Sequence, residues 1–130
     1  MNLITIPVAP SELLDKMTVL EIKLEKLADP EKLKNVQREY DLLAQIKQEM
    51  LPASEELNAL YRELKQANLE VFEALDEWFE YRKANKIDVR LAEILNKVQA
   101  DNNEKRFPTK RKIDEFLHSS IREEKSYVTS

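Results

Sequence analysis

The sequence predicts an all-α protein, and three observations lead to this fold class. Apolar residues recur at spacings of three and four on both sides of Asp29 and Pro30, which can end one helix and begin the next. Glycine is absent, so the tight turns of β-hairpins lack their preferred residue. Charged residues make up 35% of the chain and hydrophobic residues 42%, a balance typical of amphipathic helices. We therefore expect an antiparallel helical hairpin, extended to a bundle of three long helices with a shorter fourth helix and a C-terminal helical piece.

The length of 130 residues suits one helical-bundle domain that spans residues 1–130. Residues 1–10 form an extended N-terminal arm in this prediction, because Pro7 and Pro10 interrupt a run of strand-forming apolar residues. The arm either lies over the helices or pairs as a strand with its own copy in a dimer. Residues 119–130 are polar and show no periodicity, so we expect a loosely held tail.

Helix one is expected to begin at Ser11, a good N-cap, and to end near Ala28. Its main apolar stripe comprises Leu13, Met17, Leu20, Leu24 and Leu27. Val19 and Ile22 lie on the opposite face, and a helix that is apolar on two sides is usually covered on both. The N-terminal arm, a later helix or another subunit could cover this second face.

Helix two is expected to begin at Asp29, with Pro30 in its first turn, and to reach about Leu51. Its stripe comprises Leu33, Val36, Tyr40, Leu43, Ile46 and Met50. Ser54 can cap a third helix that runs from about Glu55 to Lys83. The stripe of this third helix comprises Leu57, Leu60, Tyr61, Leu64, Val71, Phe72, Leu75, Trp78 and Phe79.

The fourth helix is expected to begin after Asp88, and Pro108 should kink it or end it. Thr109 can restart a short helix that continues to Leu117. His118 then follows near a helix C-terminus, where we expect a surface residue.

Four motifs stand out along the chain: SELLDKMTVLEIKLEKLADPEKLKNVQREY at 11–40, ELKQAN at 63–68, NNEKR at 102–106 and EEKSY at 123–127. They resemble those of a family of small bacterial and phage proteins known only as a domain of unknown function. The resemblance covers nearly the whole chain, although the stretch from Val71 to Ala100 matches less well. It implies a helical protein and implies no chemistry. It places these positions within family motifs: Ser11, Asp15, Lys16, Thr18, Glu21, Lys23, Asn68, Asn102, Arg106 and Lys125–Tyr127.

Two asparagines interrupt apolar stripes, Asn68 on helix three and Asn102 on helix four. A buried amide without partners is costly, so each should be hydrogen-bonded. One interpretation is a polar contact that fixes the register of the bundle, as a single core asparagine does in coiled coils. The other is a polar pocket between helices, lined by Asn68, Asn102 and Arg106.

An acidic row on helix three comprises Glu70, Glu73, Glu77 and Glu80, with Asp76 beside it. All-α nucleoside-triphosphate pyrophosphohydrolases bind Mg²⁺ through two carboxylate pairs, E-x-x-E and E-x-x-D. The pairs Glu70-x-x-Glu73 and Asp101-x-x-Glu104 resemble them, with the second pair reversed. However, the row lies about 130–180° from the core stripe on a helical wheel, so it should face water in a monomer. We expect no bound metal. The two pairs, Glu70 with Glu73 and Asp101 with Glu104, are candidate Mg²⁺ ligands only if their carboxylates converge on one point.

A basic patch of five cations surrounds Pro108: Lys105, Arg106, Lys110, Arg111 and Lys112. It is either a solvated helix end or a contact for phosphate or an acidic partner. Phe107 is the only aromatic residue among them, so a stacking platform for nucleic acid is not indicated.

The composition indicates an interaction or scaffold protein without catalysis. The chain has no cysteine, one histidine and no glycine-rich phosphate loop, so the common catalytic and cofactor motifs are missing. The alternatives are a Mg²⁺-dependent all-α phosphohydrolase that acts on a nucleotide, or a phosphate- or nucleic-acid-binding module. We expect a cytoplasmic homodimer that binds no cofactor, no membrane and, with a net charge of −4, no nucleic acid; a protein partner is a further option.

Overall fold

The computed structural model describes residues 3–85 and 89–118, and every regular element in these ranges is helical. The three long helices are α1 (Pro10–Lys26), α2 (Pro30–Met50) and α3 (Glu55–Lys83). A joined helix of 28 residues follows, made of α4 (Val89–Asp101), a π-helical turn (Asn102–Arg106) and α5 (Phe107–Phe116). The predicted all-α fold class is confirmed. Asp88, expected to cap the fourth helix, lies outside the described residues, and so do Lys125–Tyr127 of the tail.

The starts of α2 and α3 follow local capping rules. Asp29 Oδ1 accepts a hydrogen bond from the backbone N–H of Glu31 at 3.0 Å, and Ser54 Oγ accepts one from Leu57 at 3.2 Å. Each side chain pairs a backbone donor that the first turn of a helix leaves free. Both predicted N-caps are therefore confirmed.

The start of α1 differs from the prediction, because Ser11 is not its N-cap. Ala9 occupies the cap position, Pro10 begins the helix, and the cap residue supplies no side-chain hydrogen bond. Asp114 of α5 takes over this role: its carboxylate accepts the backbone N–H of Ser11 at 3.0 Å and the Ser11 hydroxyl at 2.8 Å. A buried carboxylate from the far end of the chain thus lies at the positive end of the α1 dipole.

The core lies around α1, which packs against α2, α3 and α5. Its fully buried cluster comprises Leu14, Met17, Leu57, Leu64 and Ile113. The second face of α1 is buried as well, since Thr18 and Ile22 are inaccessible to solvent. Of the three covers that the sequence allowed, the structure has later helices: α3 contacts Thr18 through Asn68, and α5 contacts Ser11 through Asp114.

The N-terminal arm does not lie over the helices. Its large apolar side chains are exposed, from 48% for Val8 to 90% for Ile4, and residues 3–9 form neither helix nor strand. The interpretation of the arm as a cover is therefore wrong, and strand pairing with a second copy stays a prediction. Ala9, where the arm joins α1, is buried.

Three residues assigned to apolar core stripes are also exposed: Ile46, Met50 and Phe79. The first two belong to α2, a helix of 21 residues with no buried residue at all. The backbone of α2 packs on α1 alone among the described elements, so one side of this helix has no cover.

Pro108 does not end the last helix, and Thr109 does not restart it; of the two predicted outcomes at Pro108, only a local distortion of a continuous helix agrees with the structure. The π-helical turn comes directly before it, with the Phe107 N–H bonded to the Asn102 carbonyl, and α5 continues through the proline. Proline lacks an N–H, and its ring clashes with the carbonyl four residues earlier in a regular α-helix. The wider π turn relieves this clash, because it displaces that carbonyl from its α-helical position.

Two residues with positive φ terminate helices in this glycine-free chain. Asn85 follows α3 with φ 56°, and His118 follows α5 with φ 53°. Asparagine and histidine are among the non-glycine residues that tolerate this left-handed conformation best. His118 is exposed beyond a helix C-terminus, as predicted.

Replacing Asp114 with alanine should destabilise the fold by about 1–2 kcal/mol, since the Ser11 N–H and hydroxyl lose their acceptor in a buried site. Urea unfolding followed by circular dichroism measures this change. Glu73→Ala removes an acidic side chain from an exposed helical position and should change the free energy of unfolding little. Equal stability of the two variants would contradict the long-range cap.

Candidate functional site

A buried cluster of charged and polar side chains lies where α1, α3, the π turn and α5 meet. We call it the Asp15 cluster. Its members are Glu12, Asp15, Thr18, Asn68, Asn102, Arg106 and Lys110. Three of the predicted site residues, Asn68, Asn102 and Arg106, therefore do come together.

Asp15 is the centre of this cluster, and its carboxylate is fully engaged. Oδ1 accepts the Asn68 amide at 2.7 Å and Arg106 Nε at 3.4 Å, while Oδ2 accepts Arg106 Nη2 at 2.5 Å. Lys110 Nζ lies 3.3 Å from Oδ2. A carboxylate offers about four acceptor positions, and all four are used by the protein itself. Arg106 binds through both nitrogens of its fork, which is the stronger and more directional form of this ion pair.

Lys110 is the most deeply buried cation in the part of the chain that the structure describes, with only 2% of its side chain exposed. Its ammonium lies 2.8 Å from Glu12 and also contacts Asp15. Two carboxylates thus balance two cations in a region of low solvent access, which meets the requirement that buried charges be paired.

Asn68 links α3 to this cluster. Its amide nitrogen donates to Asp15 and to Thr18 Oγ1, both at 2.7 Å, and Thr18 in turn donates to the Asp15 carbonyl at 2.7 Å. Asn102 accepts a long hydrogen bond of 3.4 Å from Arg106. These contacts agree with a register-setting role for Asn68, whereas the pocket interpretation stays a prediction.

The electrostatics of Asp15 make it a poor proton acceptor at neutral pH. Burial by itself would raise its pKa, but the hydrogen bond and charge of Arg106, the Asn68 amide and the Lys110 charge outweigh burial. The pKa of Asp15 therefore lies below its ordinary value of 3.8. A general base works best with a pKa near the working pH, and here the shift has the opposite direction. The geometry fits a structural ion pair.

The predicted basic patch does not form one surface. Lys110 and Arg106 point into the Asp15 cluster, and Arg111 is half-buried. Lys105 and Lys112 are exposed, and each contacts carboxylates of this chain: Glu70 at 2.8 Å and Asp101 at 3.7 Å for Lys105, and Glu63 at 3.7 Å for Lys112. Phosphate binding by these residues stays a prediction.

The acidic row on α3 does not face water throughout, because α4 packs against α3. Glu70 is half-buried and lies 2.8 Å from Lys105, which corrects the expectation for this residue. Glu77 pairs with Arg90 at 2.7 Å on the surface, and the other members of the row are exposed as expected: Glu73, Asp76 and Glu80. Glu70 and Asp101 converge on the ammonium of Lys105, while Glu73 and Glu104 are exposed. Within residues 3–85 and 89–118, no group of three or more histidine, cysteine or acidic side chains could hold a metal ion.

A second polar cluster joins the three long helices around Glu21. The Tyr61 hydroxyl donates to Glu21, and Lys65 bridges Glu21 at 3.4 Å and Glu25 at 2.7 Å. Burial and the negative charge of Glu21 raise the pKa of Tyr40, which reaches this carboxylate from α2. This cluster fixes the α1–α2 hairpin against α3.

The aromatic residues near the end of α3 split between core and surface. Trp78 and Phe79 pack edge to face, with ring centroids 5.1 Å apart, and Arg82 lies 5.2 Å from the Trp78 ring. Phe79 is 56% exposed, so its assignment to the core is wrong. The buried Trp78 Nε1 has no hydrogen-bond partner among the described atoms.

The sequence interpretation did not predict the burial of four polar residues, Ser11, Asp15, Thr18 and Asp114, although the family resemblance placed the first three within shared motifs. A signal for three of them existed, because Ser11, Asp15 and Thr18 share a sector of about 60° with Ile22 at 100° per residue. Three short polar side chains aligned with an apolar residue can mark a buried polar face. The partner Asp114 gives no such signal.

The fold and this cluster define an all-α helical protein whose buried charges are paired within the chain. A family model described as a family of unknown function, DUF6165, matches residues 4–130, so the chain belongs to this family. Searches of curated proteins and of solved structures each returned no match. The resemblance drawn from the sequence is thus confirmed for a family of unknown function, and the bacterial and phage distribution stays a prediction. None of the helices in the described ranges has the length and apolar character to span a membrane.

Replacing Asp15 with asparagine should reduce stability by about 3 kcal/mol, because the buried Lys110 and the half-buried Arg106 lose the carboxylate they share. The lower part of the usual range applies, since Arg106 is 25% exposed. Chemical denaturation measures the loss. Asp76→Asn, which changes an exposed carboxylate on α3, is the matched control and should leave stability nearly unchanged. If Asp15→Asn unfolds at the same denaturant concentration as the wild type, the ion pair does not stabilise the fold.

The stability that Asp15 contributes should depend on pH in one direction. Its pKa is lower in the folded chain than in the unfolded chain, so its contribution is complete above about pH 5 and is lost as pH falls below 3.8. The difference in unfolding free energy between the wild type and Asp15→Asn should therefore be constant at neutral pH and shrink in acid. Urea titrations at several pH values measure it. A difference that persists undiminished in strong acid would contradict the lowered pKa.

Proposed function

We propose that this chain is a non-catalytic interaction or scaffold protein of the cytoplasm that acts through an exposed apolar surface. The observation that carries this proposal is α2. None of its 21 residues is buried, and Leu42, Ile46 and Met50 expose 44%, 37% and 73% of their surfaces. Large apolar side chains grouped on a soluble protein are typical of interaction sites.

The energetics favour this use of α2. Fully burying a leucine, isoleucine or methionine side chain is worth about 1.5–3 kcal/mol, so the three residues together offer a substantial driving force for association. The antiparallel hairpin places the start of α1 beside the end of α2, and the arm joined to that start carries three further exposed apolar residues, Ile4, Ile6 and Val8. A partner that covers this end of the hairpin would bury both sets.

The Asp15 cluster also supports a non-catalytic role. Its charges are used to pair with one another, and the Asp15 carboxylate has no acceptor position left for a substrate or metal. The candidate Mg²⁺ ligands do not form a cluster within the described residues. The polar groups that most resemble an active site therefore have a structural explanation.

The test compares the native size of the protein with that of an α2 variant. We expect the chain, expressed at its natural level in its own cells, to migrate in gentle lysates as an assembly larger than one chain. Ile46→Glu should convert this assembly to the free chain, because a buried charge is not tolerated in an apolar contact. The readout is size-exclusion chromatography with immunodetection.

Asn58→Glu is the matched control, since it places the same charge at an exposed position of α3. It should leave the assembly intact. A wild-type chain that migrates as a free chain would overturn the proposal, and so would an assembly that Ile46→Glu does not affect.

A further inference from the structure

We infer that α2 is the contact helix of a symmetric homodimer, in which two copies of α2 pack antiparallel around a two-fold axis near residue 44. The inference rests on the proposed function and assigns the partner: a second copy of this chain. It depends on five positions of the outer face of α2. They are Arg38, Leu42, Ile46, Glu49 and Met50.

These positions form one stripe with charges at its edges. Leu42, Ile46 and Met50 follow one another at intervals of four residues. At 100° per residue, Arg38 and Glu49 lie within about 40° of Leu42, on the side of the stripe away from Met50. The apolar centre is therefore bordered by one positive and one negative side chain, at opposite ends of the stripe.

A two-fold axis makes this arrangement self-complementary. In an antiparallel pair of identical helices, a residue of one copy faces a residue of the other copy, and the two residue numbers add up to the same total for every facing pair. A sum of 88 places Leu42 against Ile46 of the second copy, and Ile46 against its Leu42. Arg38 and Glu49 have a sum of 87, so each approaches its opposite charge across the axis, twice per dimer. Symmetric dimers require this kind of self-matching surface.

A parallel arrangement gives the opposite result. Arg38 would then face Arg38 of the second copy, and Glu49 would face Glu49. Like charges placed against each other in an interface disfavour association and thereby select against the wrong orientation. The charge pattern of α2 therefore favours the antiparallel homodimer.

The two bordering charges are available for such contacts. Arg38 forms no ion pair with any described residue, and the Glu49 carboxylate accepts only the Gln45 amide of its own helix, at 3.3 Å, within the same ranges. Glu39 lies between Ile46 and Met50 on the wheel, on the side of the stripe nearer to α1, and its carboxylate is 3.8 Å from Lys16 of α1. The chain thus pairs the charge nearer to α1 and leaves the two on the far side of the stripe for a contact outside the chain.

Charge reversal and mixing test the inference on the purified full-length protein. Light scattering should give the mass of two 15.3 kDa chains for the wild type. Arg38→Glu and Glu49→Arg should each raise the dimer dissociation constant about tenfold or more, since each replaces two attractive contacts with two repulsive ones. An equimolar mixture of the two variants should dimerise again, because the reversed charges face each other only in the mixed dimer.

Arg62→Glu is the control, since it reverses an exposed charge on α3 and should leave the dimer unchanged. A wild type that is monomeric throughout the micromolar range would overturn the inference. A dimer that resists both α2 reversals would place the contact elsewhere, and variants that stay monomeric when mixed would exclude the antiparallel pairing. A purified monomer whose native assembly still depends on Ile46 would refute the homodimer and leave the proposed interaction function standing.

Discussion

The ion pair between Asp15 and Arg106 is the constraint on which the rest of this structure depends. It joins the first helix to the π-helical turn across 91 residues of sequence, and Lys110 adds a second cation one turn later. One turn before Asp15 on α1, Ser11 is held by Asp114. Together these contacts fix α5 along α1. The bundle is closed by polar contacts between its first and last helices, and the apolar core of Leu14, Leu64 and Ile113 packs beside them.

Burying these charges is better explained by specificity than by stability. Paired charges in a protein interior recover roughly what their desolvation costs, so an apolar substitute could be equally stable. Helices that meet only through leucine stripes can shift by one turn at little cost, whereas a carboxylate that must meet an arginine, a lysine and an amide cannot. Asn68 makes the argument concrete, because its amide reaches both Asp15 and Thr18 in only one register of α3 against α1.

The sequence predicted what local rules control and missed what distant residues decide. Asp29 and Ser54 cap their helices through neighbours two or three residues away, and both were predictable. Ser11 looks like a cap by the same rule, but its partner Asp114 stands 103 residues further along the chain. The helical wheel likewise placed Glu70 in water, because a wheel drawn for α3 alone does not contain Lys105.

The candidate site shows the same division. Asn68, Asn102 and Arg106 could be selected because an amide in an apolar stripe is conspicuous, and they do meet. Asp15 could not be selected with equal force, since a single aspartate near a helix start has an adequate local explanation in the helix dipole. The basic residues after Glu104 looked like one patch because they are adjacent in sequence. Helical geometry separates them: Arg106 and Lys110, four residues apart, face inward, while Lys105 and Lys112 face outward.

The two helices of the hairpin therefore reverse the usual relation between polarity and function. On α1, the polar residues Ser11, Asp15 and Thr18 are buried and are bonded to side chains of later helices, which leaves them no capacity for an outside ligand. On α2, Leu42, Ile46 and Met50 keep between 37% and 73% of their surfaces exposed, and this exposed apolar part gains nothing for the isolated chain. Exposed apolar surface adds nothing to the stability of the fold and is unfavourably hydrated. Its presence is best explained by another surface that covers it in an assembly. For this reason the outer face of α2, rather than the charged cluster, is where the function of this family is best sought.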